Sequence, residues 1–263
     1  MALRIGWFTT ARGPGSKGMF DNVIAAIQSG KLDASIEFVF SNRAPSESKT
    51  TDLFFNEVEK QKIKLFTLSS KDFKKNDNLS QKKTGLLLPQ WRKDYDAEID
   101  KLIDSEEYDI GILGGYMLIF SAEFCKKHYL LNLHPALPDG PTGTWQEVII
   151  ELIRANAKIS GMMMHQATEE VDRGPVATTC NFEIQNKSNE HLWKQLHNYS
   201  GMIGNKEIEN SELFQSIREM GLVIEPKFIL ATLQSFANKT ISVHNSKMFT
   251  NEPTLPINLS GGI

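Results

Sequence analysis

Cysteine is scarce in this sequence. Its two cysteines, Cys125 and Cys180, show no CxxC or other metal-ligand spacing. That argues against a disulfide-stapled scaffold and fits a reducing compartment. An excess of charge of one sign is also missing. The formal net charge is −3, from 29 basic and 32 acidic residues, which argues against nucleic-acid binding by bulk charge. No apolar run is long enough to cross a bilayer. The opening MALRIGWFTTARGPG breaks its apolar run at Thr9 and lacks the basic-then-apolar layout of a signal peptide. No internal repeat and no low-complexity block is present. The expectation is a soluble cytoplasmic protein, and 263 residues suffice for one large domain with a substantial core.

What is present is alternation. Short apolar runs at 4–8, 36–40, 64–67, 110–113, 129–133, 158–165 and 176–184 read as strands. Helical spacing falls at 19–28 (Phe20, Val23, Ile24, Ile27), 52–61, 91–104, 145–154, 191–220 with interruptions at Gly201 and Gly204, and 226–236. Residues 69–86 are polar and lysine-rich and read as a solvated loop. The tail from Asn245, with Pro253 and Pro256, reads as irregular. Strands alternating with helices predict an α/β fold, a Rossmann-like, mostly parallel twisted sheet flanked by helices, with a helical C-terminal extension. Ligands of such sheets sit beyond the carboxyl ends of the strands.

The segment LNLHPALPD lies at such an end. Asn132 and His134 are two positions apart, which in an extended chain puts both on one face. An amide donates to a developing oxyanion, and an imidazole moves a proton near neutral pH. Pro135 and Pro138 restrict the chain as it leaves. Asp172 stands before Gly174-Pro175, a turn into the next apolar run. A carboxylate beside a histidine fixes its tautomer. Met162-Met163-Met164 reads as a packed strand. The remaining histidines show no metal-ligand spacing and read as structural or exposed. Of these, His165 ends a strand just before the Asp172 loop and reads as a satisfied core histidine or one that lines the site.

An N-x-H-P segment at a strand end and a later D-x-G-P loop resemble the folate-dependent formyltransferases. The resemblance is spread over most of residues 1–240. It implies a formyltransferase fold, an Asn132–His134–Asp172 catalytic set, 10-formyltetrahydrofolate as co-substrate and no metal. It also implies that Tyr116, Met117, Leu118, Ile119 and Phe120, in a stretch similar to the family's folate loop, hold the pterin. Within the superfamily the sequence is most similar to members that formylate glycinamide ribonucleotide in purine biosynthesis. Arg12, Gly13, Gly15, Ser16, Lys17 and Gly18 form a glycine-rich turn before a helix, suited to the ribotide phosphate. Glu225, read as opening the helix at Pro226, fits the family's ribotide glutamate or is a helix-start acid favoured by the dipole.

Departures from the family pattern leave the acceptor open. The glycine loop is extended, Leu118 stands where the family often has Arg, and no GK[ST] ending makes it a Walker loop. The alternatives are another phosphorylated amine, such as an amino-sugar nucleotide, or a non-catalytic ribotide- or folate-binding module. The implied organisation is a catalytic domain at 1–240, with a ribotide half at 1–120 and a catalytic and folate half at 121–240, then a tail at 241–263. Its partners are small molecules, not nucleic acid or membrane, with the oligomeric state open.

Overall fold

The computed structural model describes residues 2–76, 88–197, 204–250 and 254–263. Residues 77–86 of the lysine-rich stretch, together with Gly201 and Pro253, lie outside the described residues.

The chain alternates as its apolar pattern requires. In order come β1 (Leu3–Thr9), α1 (Pro14–Gln28), β2 (Ala34–Ser41), α2 (Lys49–Lys60), β3 (Lys64–Thr67), α3 (Ser70–Asn76), α4 (Gln90–Ile103), β4 (Ile110–Leu113), α5 (Ala122–Lys127) and β5 (Leu130–His134). Then follow α6 (Trp145–Arg154), β6 (Ile159–Gln166), β7 (Val176–Glu183), α7 (Glu190–His197), α8 (Asn205–Glu209), α9 (Glu212–Ala237), β8 (Ile241–His244), β9 (Lys247–Thr250) and β10 (Ile257–Asn258). β8 and β9 form a separate two-stranded sheet.

The other eight strands form one sheet in the order β10-β7-β6-β5-β4-β1-β2-β3. β1 pairs in parallel with β2 and β4, β2 with β3, and β4 with β5. β6 runs antiparallel to β5, β7 runs antiparallel to β6, and β10 joins β7 in parallel. The chain order reverses between β1 and β4. In open α/β sheets the crevice at such a switch point is where ligands bind.

Strands buried on both faces read as continuous apolar runs, and β1 is one. Ile5 and Trp7 face a core built with Phe20 and Val23 of α1 and Phe228, Ile229 and Leu233 of α9. Phe8 faces the other side, among Phe38, Phe40, Tyr116, Phe120 and Phe124. Its ring meets those of Phe38 and Phe120 edge-on, at centroid distances of 5.6 and 5.7 Å. Phe8→Ala would cost about 3–5 kcal/mol, a large share of a domain's net stability. A third cluster joins α6 to α8 and α9 through Ile149, Ile153, Ile208, Phe214 and Ile217.

Several features differ from the sequence reading. α1 starts at Pro14, so the glycine-rich stretch itself forms its first turn; proline suits that position because its missing N–H would be unpaired anyway. Ser70–Asn76 is helical rather than loop. α9 runs unbroken through Pro226, so Glu225 lies inside a helix and does not open one. Proline normally breaks a helix at a cost of about 3 kcal/mol. Here α9 buries Phe228, Ile229, Leu233 and Phe236 along its face, and the Asn22 side-chain amide donates to the Pro226 carbonyl at 2.7 Å. Finally, the described part of the tail holds regular elements: β9 precedes β10, β10 extends the sheet, and Ser260 Oγ accepts from the Asn181 N–H at 2.9 Å. Among the described residues, no helix is long and apolar enough to cross a membrane.

Candidate active site

Two loops leave the switch point side by side. One follows β1 and carries Thr10 to Gly13. The other follows β4 and carries Gly114 to Ser121. Thr10 ties them twice: its N–H donates to the Gly115 carbonyl at 3.1 Å, and its Oγ1 accepts from the Met117 N–H at 3.0 Å. Gly115 has φ +78°, and a Cβ there would stand 2.7 Å from that of Ser16. Only glycine takes that conformation at no cost while letting the loop lie on α1.

In the first loop, Gly13 is the N-cap of α1 and Ser16 Oγ donates to its carbonyl at 3.0 Å. No acidic residue occupies the first turn. Arg12 is exposed. Lys17 is drawn to Asp21, one turn along the helix, and so does not enter the loop. Gly15 and Gly18 face α9, where Gly18 lies near Pro226.

In the second loop, the five predicted folate residues divide. Tyr116 and Phe120 turn inward and stack with centroids 4.6 Å apart. Burial pushes the Tyr116 hydroxyl well above its ordinary value. Met117 and Ile119 project outward, 51% and 44% exposed, and Leu118 is half-buried. The loop's backbone is held from below by a buried ion pair on α4. Arg92 donates to the Ile119 carbonyl at 2.5 Å, and Asp96 accepts from the Ser121 N–H at 2.6 Å. Arg92 and Asp96 lie 3.3 Å apart. Breaking such a pair from one side costs about 3–5 kcal/mol, because the other charge stays buried. Apolar side chains therefore point out from a backbone that is fixed within.

The third element is β5. It ends on the same edge of the sheet, with Asn132 level with Leu113 of β4. Asn132 Nδ2 lies 3.4 Å from Asp172 Oδ1, and His134 Nδ1 lies 3.3 Å from Asp172 Oδ2. The structure thus brings together the three residues singled out in the sequence. Asp172 adopts φ +57°, a left-handed conformation that Asp tolerates better than most residues. The loop closes because Gly174 lies against β6: a Cβ there would fall 1.8 Å from the Gln166 carbonyl oxygen.

His165 is a fourth member. It stands directly across from Asn132 in the antiparallel β5–β6 pair. Its Nδ1 donates to the Gln166 carbonyl at 3.0 Å, which leaves Nε2 facing the site. Nε2 lies 3.2 Å from Asn132 Nδ2 and 3.5 Å from Asp172 Oδ1. A neutral ring accepts from the amide; a charged ring donates to the carboxylate. Burial pushes the Asp172 carboxyl upward. The hydrogen bond from His165, the nearby His134 and His165 charges and the Gly143 N–H outweigh that, so its value falls below the usual 3.8.

His134 is almost wholly enclosed, at 3% exposure. Its Nε2 donates to the Pro141 carbonyl at 3.0 Å. The segment from Pro135 to Thr144 therefore covers the ring as well as stiffening the chain. That segment leads into α6, which starts with a capping box between Thr144 and Glu147. Predicted Glu225 lies elsewhere, beside Gly15 and paired with Arg218. Among the described residues, no group of three or more His, Cys, Asp or Glu side chains is placed to hold a metal ion.

Comparison with known proteins gives the family. Residues 13–203 match the family described as formyl transferase. A phosphoribosylglycinamide formyltransferase from Dictyostelium discoideum is 29% identical over 167 residues, 60% of this chain and 74% of that protein. One from Escherichia coli is 29% identical over 158 residues, 59% of this chain and 62% of that protein. Among solved structures, the phosphoribosylglycinamide formyltransferase of Coxiella burnetii superposes with a TM-score of 0.66 at 20% identity, covering 95% of this chain and 94% of that one. A formyltetrahydrofolate deformylase from Pseudomonas syringae gives 0.65 at 16% identity, covering 96% of this chain and 67% of that one. The two structures show likeness of fold, and the sequence match covers most of the chain: the protein belongs to the formyl transferase family.

Proposed function

We propose that this protein transfers the formyl group of 10-formyltetrahydrofolate to the amine of glycinamide ribonucleotide, a step of purine biosynthesis. The observation that carries this reading is the meeting of Asn132, His134 and Asp172 on the sheet edge beside the β1–β4 crevice. Two relatives of similar sequence carry the name of that activity.

In this reading the acceptor amine attacks the formyl carbon. A C–N bond forms and the formyl oxygen takes up negative charge. The Asn132 amide and His134 Nε2 donate to that oxygen, with His134 exchanging its contact to the Pro141 carbonyl for the oxyanion. Each such donor lowers the barrier by about 3–4 kcal/mol. Asp172 balances the charge on His134. Collapse then breaks the bond to N10, and N10 takes the proton that the amine has lost, relayed through the His134–Asp172 pair. Met117, Leu118 and Ile119 would cover the pterin. The Arg12–Gly18 turn and Glu225 would hold the ribotide, within a catalytic unit of residues 1–240.

The test is a single optical assay. Purified protein is given 10-formyltetrahydrofolate with and without glycinamide ribonucleotide, and release of the deformylated folate is followed. Turnover that depends on the ribotide is expected. Release that is unchanged without it would mean that water is the acceptor, as in the deformylases, and would overturn the proposal.

A further inference from the structure

A charged pair that the catalytic cluster does not use stands on α9. Arg218 and Glu225 are seven residues apart, two helical turns, and so share one face. Arg218 Nη1 donates to Glu225 Oε1 at 2.5 Å, with the two side chains only 18% and 6% exposed. The guanidinium also lies over the Trp145 ring, 4.5 Å from its centroid. It is therefore fixed from two sides, by a carboxylate on its own helix and by the first residue of α6.

The unshared ends of the pair converge on one place. A Cβ on Gly15 would stand 3.2 Å from both Arg218 Nη2 and Glu225 Oε2. Among the described residues, Nη2 has no hydrogen-bond partner. The pair is locally neutral, since one charge answers the other. What it offers a ligand is direction: planar N–H donors of the kind that match phosphate oxygens, already held in place. Ordering a free arginine on binding costs affinity, and a guanidinium fixed beforehand avoids that cost. The other cations near the loop are less committed to it, since Arg12 is exposed and Lys17 is paired with Asp21.

We propose that Arg218 is a specificity-determining residue for the acceptor: its Nη2 binds the acceptor's phosphate beside Gly15, in an orientation set by Glu225 and Trp145. This rests on the reading above in requiring a phosphorylated acceptor. It would also hold for a phosphorylated amine other than the ribotide.

The test separates the two proposals. Binding of ribose 5-phosphate by calorimetry needs no formyl transfer. Wild type should bind it, Arg218→Ala should bind roughly ten- to a hundred-fold more weakly, and Arg218→Lys, which keeps the charge but not the fork, should fall between. Equal affinities, or no binding by wild type, would overturn the assignment. Where the ribotide turns over, the same variants are assayed with glycinamide ribonucleotide and with glycinamide riboside, which lacks the phosphate. A rise in KM confined to the phosphorylated acceptor, with the folate KM unmoved, supports phosphate contact. The same loss on both acceptors would mean that Arg218 only props Glu225. Circular dichroism of both variants checks that each is folded.

Discussion

Two histidine–aspartate clusters sit at opposite ends of this sheet. At the carboxyl edge, His134 and His165 flank Asp172. At the amino edge, His128 lies just before β5. Its Nδ1 meets the Tyr108 hydroxyl at 2.6 Å and its Nε2 meets Asp100 at 2.7 Å. Its ring stacks on Tyr108 at an interplanar angle of 10°. Asp100 is held in turn by Lys127 at 2.7 Å. The chemistry is the same and the surroundings are not. His128 is gripped by short bonds to side chains and by rings. The distances in the Asp172 cluster run from 3.2 to 3.5 Å, longer than good charge-assisted bonds. The cluster borders a switch-point crevice with exposed apolar residues. A histidine–aspartate pair by itself therefore says little; its place on the sheet and the slack in its bonds distinguish the candidate site from the brace.

That contrast can be broken by substitution. The largest effect is expected at His134: His134→Ala should lower kcat by about 10³-fold or more while circular dichroism stays native, because in the proposed mechanism it removes both an oxyanion donor and a proton carrier. Near-wild-type turnover would remove His134 from the mechanism. His165→Phe should cost less, roughly ten-fold in kcat, since it frees the Asn132 amide rather than deleting it. If that variant is as impaired as His134→Ala, His165 touches the reacting atoms itself.

The smallest effect on rate is expected at His128. His128→Phe should leave kcat unchanged and lower stability by about 1–3 kcal/mol, the net value of two hydrogen bonds. Lost turnover in a folded variant would erase the distinction between the two clusters. Its pH signature sharpens the point. Burial, more than offsetting the Asp100 contact, holds His128 below its ordinary value of 6.5. A base with a lowered native value contributes stability that is present above 6.5 and is lost as pH falls below it, because the unfolded chain binds the proton first. Melting curves between neutral pH and pH about 5 should thus fall for wild type and fall less for His128→Phe. Parallel curves would show that His128 does not titrate on unfolding.

The strands of the parallel half were legible because each carries its own apolar run, and α1, α2 and α4 because each shows its own period; the short α3 and α5 were not. Asn132 and His134 could be placed on one face from a two-residue spacing, and Asp172 from the turn that follows it. His165 was harder to assign. It reaches Asn132 across an antiparallel pair 33 residues apart, and no local pattern reports which strand lies beside which. The Arg218–Glu225 pair was not legible for another reason: a helix expected to restart at Pro226 breaks the two-turn face that joins them. The strands of the tail are too short to show alternation, and β10 has two residues.

Thr10 gives the two loops of the crevice a common anchor. Its two hydrogen bonds join the turn that leads into α1 to the backbone that presents Met117. Neither loop can shift without pulling on the other through the end of β1. In the proposed function the pterin and the acceptor both sit on this joined frame. Whatever factor a bound pterin applies to the affinity for the acceptor, the acceptor must return to the pterin in full.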